Sequence, residues 1–246
     1  MQAEIENNFY DLAIDREMYS NKPNLKFRLN YFFNDVDLSN KKVLDVGGGI
    51  GLLTFYAAVK GAKKVVCLEP EFDGSSKGMI NKFNEFKSAL QSSLPIEHLP
   101  LTLQDYMEQI DDEEYDIILL HNSINHLDEE ACISFRQSEQ SYNTYKNIFT
   151  QVYRKMKPGG KLVVADCSCN NFFNTLGVKC VFNPTIEWHK HQAPETWIGL
   201  LKEVGFKNPK VEWSSPNRLG KAGRVLMGNS FVSYLTQSHF KFTLEK

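Results

Sequence analysis

Apolar residues in this chain gather in two ways. Some form short continuous runs, as in strands buried on both faces of a parallel sheet. Others recur every three or four positions, as on one face of a helix. Continuous runs predict strands at 43–46, 64–69, 115–122 and 162–166, and the run from Tyr115 to Asn122 is the clearest. A weaker strand is predicted at 96–103, where Pro100 interrupts the run, and another at 208–213. Near the end, 230–235 and 239–244 are both strand-like and could supply a last, antiparallel strand. Helical spacing predicts helices at 10–13, 25–33, 52–60, 75–92, 139–156 and 194–204, with Pro23 separating the first two. Strands alternating with helices predict an α/β fold with a parallel sheet. Residues 167–193, rich in Cys, Asn and Phe, keep no clear period and are expected to form a lid-like insertion facing the substrate. No repeat, low-complexity stretch or boundary divides the chain, so 1–246 is read as one domain with a helical cap at 1–40.

The first strand runs straight into Gly47-Gly48-Gly49-Ile50-Gly51, and a helix follows at once. Glycines permit positive φ and let a ligand approach the main chain. The helix start behind them offers unpaired N–H groups and a positive dipole end. Such a turn suits a nucleotide-type ligand at a sheet edge. The dinucleotide fingerprint G-x-G-x-x-G/A fits poorly, because its third glycine would fall on Thr54 or on Leu52.

What stands here is Asp45-x-Gly47-x-Gly49-x-Gly51, with the acid two residues before the first glycine. This resembles the first motif of class I S-adenosylmethionine (AdoMet)-dependent methyltransferases. Lys157-Pro158-Gly159-Gly160 before the fifth strand is a second point of resemblance, and Gly205-Phe206 before the sixth is a third. The resemblance covers roughly residues 38–213. It implies a Rossmann-like, doubly wound, mostly parallel seven-stranded sheet of order 3-2-1-4-5-7-6. It also implies AdoMet as cofactor, with S-adenosylhomocysteine as its product, and a small-molecule acceptor carrying a hydroxyl, amine or similar nucleophile. Asp45 would orient the methionine end near Gly47, Gly48, Gly49 and Gly51. Glu69, 18 residues after Gly51, would accept from the ribose hydroxyls. Pro70 and Phe72 follow it, and Phe72 would flank the adenine. Asp105 would accept from the adenine amino group, with Tyr106 beside it, or else N-cap the segment after it. Arg28, in the cap, would pair with the cofactor carboxylate or remain a solvated helix charge.

Ligands of open α/β sheets bind beyond the carboxyl ends of the strands. Residues 121–126 therefore line the place where the methyl group should lie. A general base helps when the nucleophile is a hydroxyl or ammonium, and histidine suits neutral pH. His126 is the first choice, against the alternative that it only shapes the pocket. His121 is a second candidate. His189 and His191 fall in the insertion, where an exposed loop histidine is expected.

Composition narrows the field. The chain has 246 residues, 42% hydrophobic and 24% charged, with a net charge of -2. No basic stripe suggests nucleic acid, and no apolar run approaches the roughly 18 residues of a membrane span. The first residues lack a signal-peptide pattern. Five cysteines without a C-x-x-C pair read as reduced thiols, and a cytoplasmic location is expected. No metal is expected: strand four ends in His121-Asn122 rather than in an acid, and Cys167-x-Cys169 is too isolated for zinc. The alternatives are an NAD(P)-dependent oxidoreductase, disfavoured by the glycine frame, and a catalytically silent AdoMet-fold binding protein.

Overall fold

A computed structural model describes residues 2–71, 77–90 and 93–246. Strands β1 (Lys42–Val46), β2 (Lys64–Leu68), β3 (Ile96–Leu99), β4 (Tyr115–His121), β5 (Met156–Cys167), β6 (Lys207–Trp213) and β7 (His239–Glu245) form one sheet. Its order is β3-β2-β1-β4-β5-β7-β6, as the resemblance implies. β1 to β5 are parallel, while β7 runs antiparallel to both β5 and β6.

Period-two alternation sorts the strand residues onto two faces. Val43, Val65, Ile117, Leu119 and Val163 pack under α1 (Gln2–Asp15), α2 (Lys22–Phe33), α3 (Leu52–Val59) and α4 (Met79–Ala89). Leu44, Val66, Ile118, Leu120 and Leu162 pack under α5 (Leu103–Met107), α6 (Glu129–Ile133) and α7 (Glu139–Lys155). Helix α8 (Phe172–Thr175) lies in the insertion, and α9 (Pro194–Val204) returns to the face of α7. Helices α10 (Gly220–Met227) and α11 (Ser230–Leu235) connect β6 to β7. No helix among the described residues is long and apolar enough to cross a membrane.

Several boundaries differ from the sequence expectation for identifiable reasons. Residues 230–235 are helix, not strand, because the Asn229 side chain caps them by accepting from the Val232 N–H. Pro23 does not separate two helices but sits in the first turn of α2, where its missing N–H costs nothing. β3 stops at Leu99, before Pro100. The Lys157–Lys161 turn is a bulge inside β5: Tyr115 pairs with Met156, and Ile117 next pairs with Lys161.

β6 and β7 are tied to the helical cap by a buried charge. Lys241 on β7 is fully buried; its Nζ donates to the Tyr31 carbonyl at 2.8 Å and lies 2.7 Å from Glu212 of β6. Asn34 supplies a third acceptor at 2.5 Å. Removing one partner of such a pair leaves unmet polar groups, so Lys241→Ala should cost about 3–5 kcal/mol. Urea unfolding checks this; a loss below about 1 kcal/mol would show that α2 holds to the sheet without this cation.

Candidate active site

The carboxyl ends of β1, β2, β4 and β5 share one edge with the start of antiparallel β7. The glycine turn lies at its centre. The N–H groups of Gly47 and Gly48 donate to the Leu68 carbonyl at 2.8 and 3.2 Å, binding the turn to the end of β2. A Cβ on Gly47 would lie 2.6 Å from that of Ser123, and one on Gly51 would lie 2.5 Å from the Phe83 ring. These two glycines are therefore demanded by packing. Gly49 differs: its φ is +55°, and a Cβ there would meet nothing within 4 Å. The open side of the turn is at Gly49, and that is room a ligand can enter.

Glu69, just past β2, aims at the same place. Its Oε2 accepts from the Gly49 N–H at 2.7 Å, and the residue is 8% exposed. Burial raises its pKa, and the Gly49 N–H holds part of that rise back. Pro70 follows, partly exposed. Phe72 lies outside the described residues.

Three other expected residues have partners within the protein. Asp45 is 1% exposed, and its Oδ2 accepts from Thr54 Oγ1 at 2.6 Å. Strand alternation points it beneath the turn, toward α3, so it braces the glycines from below instead of facing the open side. Burial pushes its pKa up to about 6, against the Thr54 hydrogen bond. Asp105 is not an N-cap. Thr102 caps α5, and Asp105 returns the bond by accepting from the Thr102 hydroxyl at 2.7 Å, with its side chain in solvent. Tyr106 turns into the core, where its hydroxyl meets that of Tyr115 at the opposite end of the sheet.

Around the tips of β4 and β5 the structure assembles a group of histidines. Arg28 Nη2 lies 2.9 Å from His121 Nε2. A guanidinium only donates, so Nε2 is the acceptor and the His121 proton sits on Nδ1. Burial, then the Arg28 charge, lowers the His121 pKa to about 3. Its open lone pair is already used, which removes it as a general base. His239, which the sequence reading placed only in a strand, stands beside Cys167 Sγ at 3.2 Å and is lowered to about 3 by burial first and Arg28 second.

Beyond these tips is a cavity of about 240 Å³ lined by Asn125, His126, Asp166, Glu187, Lys190 and His191, among others. Asn125 is 2% exposed, and its Oδ1 has no hydrogen-bond partner among the described residues. His126 is at the rim, 57% exposed, with Nδ1 3.1 Å from Glu129. His189 is exposed, as expected, but His191 is not: Asp166, 1% exposed, holds its Nδ1 at 3.1 Å. The turn carrying Asn125 is braced by the Tyr145 hydroxyl, which lies within 2.9–3.3 Å of the carbonyls of Ile124, Asn125 and Asp128. The sequence pattern reads Tyr145 only as helix core. Among the described residues no three His, Cys, Asp or Glu side chains gather as a metal site.

Because His121 and His239 are held neutral, acid should weaken the fold. The unfolded chain protonates them near the ordinary value of 6.5, while the folded chain resists to about 3. Their contribution is complete above pH 6.5 and is lost as pH falls toward 3, by up to about 1.4 kcal/mol per pH unit for each histidine. Asp45, raised to about 6, acts in the opposite direction as pH falls below that value. Comparing urea unfolding of the wild type and His121→Gln at pH 7.5, 6.5 and 5.5 isolates the histidine part. Equal slopes in the two proteins would show that His121 titrates normally.

Comparison with known proteins follows this geometry. A family model described as a methyltransferase domain matches residues 15–211. The ubiquinone biosynthesis O-methyltransferase of Pseudomonas savastanoi is 24% identical over 218 residues, which cover 86% of this chain and 83% of that protein. Crystal structures of AdoMet-dependent methyltransferases from Archaeoglobus fulgidus and Aquifex aeolicus share the fold. The first has a TM-score of 0.60 at 15% identity, covering 95% of this chain and 98% of the other. The second has a TM-score of 0.56 at 14% identity, covering 100% and 97%. With the model spanning most of the sheet and the whole glycine turn, the chain belongs to the methyltransferase-domain family and is an AdoMet-dependent methyltransferase.

Proposed function

We propose that this enzyme methylates a hydroxyl, amine or similar nucleophile of a small molecule held in the cavity beyond β4 and β5. The observation that carries this reading is the cavity itself: about 240 Å³, lined mainly by polar side chains, at the carboxyl edge of the sheet that also carries the glycine turn. A volume of that order suits a small acceptor better than a protein segment or a nucleic acid chain. The net charge of -2 also gives a polyanion little to bind. The similar protein from Pseudomonas savastanoi is named as an O-methyltransferase of ubiquinone biosynthesis, which agrees with a small acceptor. Five free cysteines fit a reducing, cytoplasmic setting.

When bound, AdoMet supplies a methyl group on a sulfonium cation. This chain's part is then to hold that cation, align the acceptor and exclude water. The residues that fit the cofactor are the main chain from Gly47 to Gly51, open at Gly49, and Glu69 for the ribose hydroxyls. Pro70 and Asp105 border the adenine end in this reading. Arg28 can serve the cofactor carboxylate with the guanidinium N–H groups that His121 does not engage. Asp45 holds the turn through Thr54. On the acceptor side, Asn125 offers a buried carbonyl with no partner among the described residues, and His126 stands at the rim.

Calorimetry tests the cofactor half. S-adenosylhomocysteine should bind with micromolar affinity and NAD should not. Glu69→Ala should weaken binding by about 1.5–3 kcal/mol, the worth of charge-assisted hydrogen bonds. Unchanged affinity with intact folding would remove Glu69 from the site. Gly49→Val should abolish binding while thermal unfolding stays cooperative, although φ +55° adds some strain. Affinity like that of the wild type in this variant would move the ligand off the turn.

A further inference from the structure

We infer that His191, oriented by Asp166, is the general base of this methyltransferase, and that its acceptor presents a weakly acidic, phenol-type hydroxyl. The inference rests on the small-molecule reading above. Its first support is elimination by geometry. His121 has its open lone pair on Arg28. His239 packs against Cys167. His126 is mostly in solvent and is bound through Nδ1 to the exposed Glu129. His189 is exposed and does not line the cavity. His191 and His239 both line the cavity and are enclosed, and of the two only His191 has its ring held by a carboxylate.

The second support is the way His191 is held. Its Nδ1 lies 3.1 and 3.3 Å from the two oxygens of Asp166. With a carboxylate accepting there, Nδ1 carries the proton and Nε2 keeps its lone pair. No hydrogen bond to Nε2 is formed among the described residues. Asp166 sits at the end of β5 and is almost wholly buried, so it is placed by the sheet. The segment carrying His191 is fastened on both sides. Gln192 Nε2 donates to the Cys132 carbonyl at 2.8 Å, and Lys190 Nζ lies 2.9 Å from Glu129. A buried acid, an oriented imidazole and an unbonded ring nitrogen on a residue that lines the cavity make the arrangement of a base held by its positioning residue.

The acceptor class follows from what the cavity leaves unpaired. Two carboxylates line it. Asp166 is committed to His191, and Glu187 lies 2.8 Å from Lys190. An ammonium would therefore meet no free carboxylate among the described lining residues. A hydroxyl needs only an acceptor for its proton, and Nε2 is one. As a class, imidazole bases are matched to a proton with a pKa of about 10, as in a phenol, far better than to that of an aliphatic alcohol. In the step, Nε2 takes the hydroxyl proton while the oxygen forms its bond to the methyl carbon. The carbon–sulfur bond breaks with its electron pair left on sulfur. The imidazolium, paired with Asp166, then gives its proton to solvent, so the net products are methyl ether, S-adenosylhomocysteine and one proton.

The titratable groups that line the cavity with His191 are Asp166 and Cys167 from β5, His239 from β7, His126 from the turn after β4, and Glu187 and Lys190 from its own segment. Cys167 is held as a neutral thiol by burial, and His239 is held neutral, so Asp166 dominates the field at the ring. Asp166 is thus the carboxylate in contact with the ring.

The test has two parts. In the first, ¹⁵N NMR of the protein with S-adenosylhomocysteine, assigned by difference from His191→Gln, reads the ring at pH 8. The expected state is Nδ1 protonated and Nε2 bare, changing in Asp166→Asn; a protonated Nε2 in the wild type overturns the assignment. In the second, catechol and benzylamine are offered with AdoMet, and products are read by mass. Catechol should be methylated on oxygen and benzylamine left unchanged. His191→Gln should bind S-adenosylhomocysteine like the wild type but lose roughly 10²–10⁴-fold in turnover. A base must be unprotonated to act, so the wild-type rate should carry a limb that rises with pH and that is absent in His191→Gln. A loss below about threefold in His191→Gln with the limb kept overturns the base. Methylation of benzylamine, or of neither probe, overturns the phenolic class. Failure of S-adenosylhomocysteine to bind the wild type would instead strike the cofactor site, so the two levels separate.

Discussion

The structure depends on a steric constraint at one turn. Three strand ends meet at residues 47–51, and they can meet only because the turn carries almost no side chain. Gly47 lies against Ser123 beyond β4, and Gly51 against Phe83 of α4. The Gly47 and Gly48 N–H groups share the Leu68 carbonyl of β2, while Ser123 Oγ donates to the Val46 carbonyl of β1 at 2.6 Å. The tips of β2, β1 and β4 are thus locked in register by the same few atoms. Glu69 and His121 extend from those tips, so their separation is set by the turn and not by their own contacts. A methyl group at Gly47 would press on Ser123 and part the tips of β1 and β4, and one at Gly51 would push on the Phe83 and Phe55 rings.

This explains which parts of the molecule were legible in the sequence. Glycine at a strand end has a local cause, and the apolar runs have a simple period, so the strands, the glycine turn and the acid at Glu69 could be read from the chain, while the sheet order was implied only by the family resemblance of those motifs. Side-chain direction at the tips could not. Asp45 is two residues from the glycines, but alternation turns it under them, onto Thr54. Tyr106 follows Asp105 closely, yet the short helix α5 rotates it to the amino end of β4. The segment 230–235 has strand-like composition, and one capping side chain at Asn229 makes it a helix.

What the sequence concealed most thoroughly was pairing across the insertion. Asp166 and His191 are separated by 25 positions of chain with no period, and nothing local marks them as partners. His239 arrives from the far end of the chain because β7 runs antiparallel, bringing its first residue beside the last residues of β5. These are consequences of topology, not of motif. A visible clue did exist: an acid ending a buried strand must find a partner, and Asp166 at 1% exposure could not have remained a solvated loop residue.

The same alternation that conceals these pairs also divides the polar groups by face. Asp45 and His121 share the side of α1 to α4, where Arg28 and Phe32 close over His121. Asp166 points to the other side, toward α6 and the segment before α9. The tip of β4 lies between the two sides, so His121 and Asn125 come from one short stretch yet face different neighbours. The insertion is therefore not a loose lid where it matters. Gln192 and Lys190 hold it to α6, and Asn171 is fully buried with Nδ2 2.9 Å from both the Thr236 carbonyl and Ser238 Oγ. Buried side-chain amides that bond main-chain carbonyls resist displacement, because opening would leave them unpaired. A ring mounted between such anchors keeps its angle to the cavity, and angle is what a proton acceptor needs.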